Sequence, residues 1–392
     1  MIRNAISKAL GFSRREEIQK HINPKQEPHS GILGHIFVFV SLAIIFQIVF
    51  TGGNYISGII GGLLNATIHP LFNWLESVVV FPFSVSIFSS IYMAIVTTMQ
   101  LIFAYLLLFY ILLALMEDSG YFMKASYMSD RFMQSLGLNG RAFIPLMMGY
   151  GCTVTSIYST KLLGKEKERF AVGALSTFLP CTARTASIFG LISGFFGQYI
   201  AIVIYVVDLV LVFFVGKVIN NILKIPSLSS VMAPPKMRIP NLSHVMKKAI
   251  LNLEEFAVFV IPILLVSSVI VGIFTEMGVM QGIAMSLKPM MDIFGLPSIA
   301  ALPLLFGILR KELALAMLVQ VAGTVDFSTI FTVKQMLIYS LIMMIYVPCV
   351  SAMASLFKEY KPVQAIAIIV FNFMVTLVVG VLANVALSFF MN

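Results

Sequence analysis

The chain interrupts its own helices inside its most apolar segments, and it does so beside cysteine. In FIPLMMGYGCTVTSIYSTK, Phe143 to Lys161, Pro145, Gly149 and Gly151 break the backbone just before Cys152; in STFLPCTARTASIFG, Ser176 to Gly190, Pro180 precedes Cys181. Proline removes an amide donor and glycine weakens a helix interior. In hydrocarbon the groups freed by a break find no water, so breaks persist only where protein surrounds them or where they line a cavity. A mean hydropathy of +0.97, with 59% hydrophobic and 11% charged residues, places the chain in that solvent. Soluble domains carry charge on about a quarter of their residues. The expected fold class is an all-α polytopic membrane protein.

The pattern recurs. Ile144-Pro145-Leu146-Met147-Met148-Gly149 is echoed by Leu302-Pro303-Leu304-Leu305-Phe306-Gly307, and Pro180-Cys181 with Ala186-Ser187 by Pro348-Cys349 with Ala354-Ser355. Two matches in the same order, each built on proline, read as a degenerate duplication of the transporter kind. Span lengths and loop charges then give about seven transmembrane helices plus two re-entrant broken hairpins in an inverted repeat. The expected domains are a cytoplasmic basic arm (1–30), a first span and interfacial segment (31–87), a first gate repeat (88–220), a cytoplasmic basic linker (221–250) and a second gate repeat (251–392). The segment from Glu276 to Pro297 is expected on the outer, non-cytoplasmic side.

A formal charge of +9 raises nucleic acid as a partner. The basic residues, however, lie in short loops beside apolar spans, for example Lys161, Lys165, Lys167 and Arg169, and then Lys217 through Lys248. That is the positive-inside pattern of a protein in the cell membrane, N-terminus cytoplasmic, and it excludes nucleic acid as the explanation. The polar, basic start of the chain does not read as a cleavable signal peptide.

The three cysteines, Cys152, Cys181 and Cys349, all fall in the repeated stretches, without CxxC spacing or an even-numbered disulfide framework. A thiol is a soft ligand suited to late first-row divalent cations, and broken backbone adds carbonyl oxygens. The candidate translocation residues are Cys152, Cys181 and Cys349 with Met148, Gly149, Gly151, Thr153 and Asp208. Asp208 lies in mid-span, where an acid marks a functional position by default; its bland alternative is a neutral acid bonded between helices. Arg184, Lys311 and Glu312 are candidate gate or ion-pair residues, and Arg184 could meet an acid or a carbonyl. Cysteine and methionine are also common core fillers, the competing reading for each. Glu117 and Asp118 read as surface residues at a span end. No histidine falls in the repeated stretches, and HExxH, GxSxG and P-loop motifs are absent, so no enzyme and no permanently bound cofactor are expected.

Leu115-Met116-Glu117-Asp118-Ser119-Gly120-Tyr121, Asp130-Arg131, Gly149-Tyr150-Gly151-Cys152, Cys181 with Ala183-Arg184, Lys311-Glu312 and Val347-Pro348-Cys349 resemble, in this order, the membrane domain of the FeoB ferrous-iron transporters. The resemblance covers about residues 31 to 361 and implies ferrous-iron uptake through two gate repeats, with the three cysteines on the pathway. Members of that family usually carry an N-terminal G domain, and none precedes the membrane part here. The expected partners are therefore the lipid bilayer, a separate GTPase or small cytoplasmic accessory protein, and further copies of the chain. Two alternatives stand beside this reading. One is a nucleoside-like solute transporter with the same fold, served by the hydroxyls of Thr153, Thr155 and Thr182; the other is a membrane assembly protein without transport.

Overall fold

The computed structural model describes residues 47–49, 51–64, 66, 96, 99–196, 198–225, 239–276, 279–309, 311, 314, 317, 318, 327 and 330–390. The expected basic arm, most of the first span, the linker at 226–238 and Glu312 lie outside the described residues. Among the described residues there is no β-strand. In chain order the helices are α1 (Leu107–Asp118), α2 (Tyr121–Ser135), α3 (Phe143–Gly151), α4 (Thr153–Ser159), α5 (Glu166–Ser176), α6 (Thr182–Phe196) and α7 (Gln198–Leu223). There follow α8 (Leu242–Glu276), α9 (Val279–Phe294), α10 (Ala301–Leu309), α11 (Val333–Ile345), α12 (Val350–Glu359) and α13 (Pro362–Phe390).

Among the described residues, three segments, Ile202–Leu223, Val333–Glu359 and Pro362–Phe389, are long and apolar enough to cross a membrane. The number rises to 5 if two bent helix pairs, Ile102–Asp118 with Tyr121–Ser135 and Met285–Phe294 with Ser298–Leu309, each count as one span.

The chain divides into two compact units. The smaller takes Leu33–Lys124 and Pro235–Ile283. Here α8 runs along α1. The end of α1 is where acids oppose the helix dipole, and both find a counterpart at the start of α8: Glu117 pairs with Lys248 at 2.6 Å, and Asp118 accepts from the Asn241 amide at 2.8 Å. Gly52 and Gly53, expected to be interfacial, belong to a helical stretch at 51–64. Their missing side chains admit the neighbouring turn: a Cβ on Gly52 would lie 3.0 Å from Leu108, and one on Gly53 2.5 Å from the Tyr105 ring, whose hydroxyl donates to Asn54 at 2.6 Å.

The larger unit takes Ala125–Pro234 and Ala284–Asn392, so it holds both repeated stretches. These fold alike locally. Gly137 and Gly295 both take positive φ, +73° and +69°. Each closes the helix before it with the same pair of bonds, Leu138 N to Met133 O and Gly137 N to Gln134 O in one, Leu296 N to Met291 O and Gly295 N to Asp292 O in the other. This is the Schellman ending, for which glycine is the favoured residue. A 3-10 turn follows in each, then a nine-residue helix, α3 or α10. Either glycine is seated against an asparagine of a long helix, Asn220 on α7 or Asn384 on α13. The expected outside segment, Glu276–Pro297, contains α9, which the Gly295 turn bends by 111° onto the next helix.

The base of the first hairpin is held by two buried acids. Asp130 accepts the Gly140 amide and Glu168 the Asn139 amide, both at 2.7 Å. These amides begin a turn and have no partner within it, so a carboxylate supplies one. The hairpin itself closes where Ser156 on α4 reaches Pro145 O on α3 at 2.6 Å. It packs on α5, and α12 lies against α4.

Candidate functional site: three linked helix breaks

Each cysteine sits where a helix begins. Cys152 is extended (φ −150°, ψ 126°) between α3 and α4, and Cys349 (φ −63°, ψ 159°) caps α12. The carbonyls of Cys152, Cys181 and Cys349 accept the first helical bonds of α4, α6 and α12, from Ser156 N, Thr185 N and Met353 N. All three are thus N-cap residues. That position normally takes serine, threonine, aspartate or asparagine, whose oxygen serves the exposed amides. A sulfur there faces the same amides, and those of Val154 and Thr155 are directed at Cys152. None of the three is in a disulfide; Cys181 is buried, Cys152 and Cys349 half-buried.

Hydrogen bonds join the breaks. Thr182, beside Cys181, donates to the carbonyl of Gly151, beside Cys152, at 3.1 Å. Arg184 joins the second break to the third. Fully buried, it donates to Thr177 O at the end of α5 (3.1 Å), to Met344 O (2.8 Å), to Tyr346 O and to Val347 O (3.4 Å). These carbonyls are left over where α5 and α11 stop short of Pro180 and Pro348. The guanidinium therefore does for both breaks what the missing helical amides cannot. Of the two partners open to Arg184, carbonyls are the ones it takes.

Two residues with no place in the sequence-derived site complete this junction. Asn372 on α13, fully buried, donates from Nδ2 to Thr177 Oγ1 at 3.1 Å and to Ile345 O at 3.3 Å, and Thr376 Oγ1 lies 3.2 Å from the same carbonyl. The signal was the one that singled out Asp208, a polar side chain in the middle of an apolar span.

Lys311 is 2% exposed, and its ammonium, without a hydrogen-bond partner, lies 5.9 Å from the centre of the Tyr346 ring. Arg184 lies 5.6 Å from that ring. Cys152, Cys181, Cys349 and Arg184 are all within electrostatic reach of Lys311. Asp208, on α7, is fully buried with neither carboxylate oxygen hydrogen-bonded, and it lies within reach of Tyr150, Tyr205 and Arg184. The Tyr205 hydroxyl donates to Thr185, which fixes α7 to α6 one turn from Asp208. Thr153 Oγ1 is buried without a partner. Met148 is 8% exposed, and Gly149 has no room for a Cβ, which would fall 2.7 Å from Leu179.

The structure thus brings Cys152, Cys181, Cys349, Gly151, Arg184 and Lys311 to one place, with Asp208 within electrostatic reach of Arg184. Among the described residues, no three His, Cys, Asp or Glu side chains close into a ready metal cage.

Buried breaks whose freed groups are served by side chains from other helices define a helical membrane protein of the broken-helix class. The Gate family, described as "Nucleoside recognition", matches residues 99–195 and 257–363, and the chain belongs to it. Among curated proteins it is similar to Fe(2+) transporters named FeoB. It is 25% identical over 344 residues to the Fe(2+) transporter FeoB of Staphylococcus aureus (strain COL), covering 81% of this chain and 51% of that protein. To the Fe(2+) transporter FeoB of Salmonella typhimurium (strain LT2) it is 29% identical over 171 residues, 43% of this chain and 22% of that one. The chain spans about half the length of the first of these relatives. No solved structure matches it.

Proposed function

We propose that this chain moves ferrous iron, or a similar divalent transition-metal cation, across the cytoplasmic membrane along the three linked breaks. The observation that carries the reading is that every cysteine in the chain is the capping residue of a break, with the breaks hydrogen-bonded in series. Soft sulfur beside peptide oxygen suits a borderline cation. The FeoB relatives support the choice of cargo. In this reading the N-terminus is cytoplasmic, about seven spans carry two hairpins of opposite orientation, and any GTPase activity belongs to residues outside this chain. Labelling single cysteines engineered at Ser229 and Gly278 tests the topology, and labelling of both from one face would refute the inversion.

The family's description and the buried, unpartnered Thr153 hydroxyl favour a second reading, transport of a nucleoside-like solute. Proteoliposomes loaded by reduced iron, by a nucleoside, or formed without protein separate the two. Protein-dependent iron uptake is expected. Nucleoside uptake without iron uptake would overturn the proposal.

A further inference from the structure

Two cations share the Tyr346 ring, and they are used differently. Arg184 spends its two terminal nitrogens on four carbonyls, as a structural cation does, and only its Nε is without a partner. Lys311 is 2% exposed, yet its ammonium has no hydrogen-bond partner. A buried ammonium without bonds is costly, so a purely structural lysine would be expected to take a carbonyl or an acid. Its root is fixed: the Lys311 carbonyl lies 3.4 Å from the hydroxyl of Ser187, on the helix that Cys181 begins. Its head is turned to Tyr346, at the start of the Cys349 break. The ammonium is therefore held between two of the cysteine breaks and within electrostatic reach of the third.

We infer that Lys311 is a tethered cation, which holds the place of the transported cation while the pathway is empty and is displaced when the pathway is loaded. This rests on the proposed transport of a divalent cation. Two like charges in one low-dielectric site repel strongly, so Lys311 keeps the site's affinity low enough for the cargo to leave, which conduction requires. Lys311 is in this sense a specificity-determining residue, because it sets which cations bind tightly enough to displace it.

The test compares wild type, Lys311→Met and Lys311→Arg in proteoliposomes given graded reduced iron, with detergent thermal stability measured on each. The methionine variant removes the charge and keeps the volume. Its half-saturating concentration should fall at least about tenfold while maximal uptake falls, because release slows. Lys311→Arg keeps a cation and should show no such fall. A merely structural lysine would lower maximal uptake and stability without tightening the site. An unchanged or raised half-saturating concentration in a stable Lys311→Met protein overturns the inference, as does a fall of equal size in Lys311→Arg. If the methionine variant does not insert, Lys311→Gln takes its place, and failure of both to insert overturns it in favour of a structural cation. A wild type that takes up no divalent cation overturns the parent reading, and this one with it.

Discussion

Replacing Arg184 tests whether the cysteine breaks are held as one assembly. Arg184→Met keeps most of the buried volume and deletes the fork, stranding the carbonyls of Thr177, Met344, Tyr346 and Val347. Interhelical hydrogen bonds in membranes average ~0.6 kcal/mol by double-mutant cycle, so four of them give a lower figure of roughly 2 kcal/mol. Removing a buried charge from its network costs about 3–5 kcal/mol, which sets the upper figure. Lysine presents its donors from a single atom and cannot reach both sides of the junction as a planar fork does. Arg184→Lys should therefore recover less than half of the loss. The assay is reversible unfolding in mixed micelles, run alongside the rate at which a thiol reagent reaches Cys349, whose break loses its support. The methionine variant should unfold about 2–5 kcal/mol more easily and expose Cys349 faster. A change under about 0.5 kcal/mol, the range of unremarkable surface substitutions, would refute the assignment. Full recovery by lysine would show that charge rather than the fork holds the breaks.

Replacing Cys152, Cys181 or Cys349 by serine exchanges a soft donor for a hard one, so uptake of ferrous iron per folded molecule should fall while thermal stability holds; a core role predicts the reverse, because a hydroxyl buried in a dry core costs about 1–3 kcal/mol. Gly307→Ala should destabilise by about 1–3 kcal/mol, since its Cβ would run into the Tyr346 hydroxyl; Tyr346→Phe should relieve most of that cost, and additive effects in the double mutant would refute the contact. Tyr360 lies between two spans, and burial above all pushes its phenol from 10.0 up to about 12. The folded state then holds that proton where the unfolded state has lost it, so its contribution is complete below pH 10 and fades as pH rises towards 12. Tyr360→Phe should flatten the stability profile in that window, as followed by thermal unfolding.

The breaks were legible because proline and glycine act locally: Gly149, Gly151, Pro180 and Pro348 each mark a place where a helix ends within a few residues, whereas Pro145, expected to break the backbone, sits in the first turn of α3, where proline is tolerated. Lys311 and the cysteines were legible as unusual chemistry in an apolar setting. What serves the breaks was not. Arg184 could have met any acid or any carbonyl, and a carbonyl acceptor leaves no mark in sequence because every residue has one. Asn372 and Thr376 act across a distance that only packing creates. The Gly52-Gly53 pair illustrates the same limit: glycine signals an interface or a close approach equally well, and the Tyr105 ring that chooses between them is about fifty positions away.

One more set of contacts bears on how such a molecule could open. Away from the cysteines, the end of α12 is tied to the turn after α4 and to the start of α5. Glu359, with a side chain 4% exposed, meets Lys161 at 2.8 Å and Arg169 at 3.8 Å. Lys361 meets Glu166 at 3.1 Å, and the Tyr360 hydroxyl donates to Arg169 O at 3.0 Å. With the Arg184 junction, the two repeated stretches are fastened at two separate levels. A rocking motion that swung one stretch away from the other would have to undo both fasteners in the same stroke, whereas a local bend at Cys152 would leave both shut.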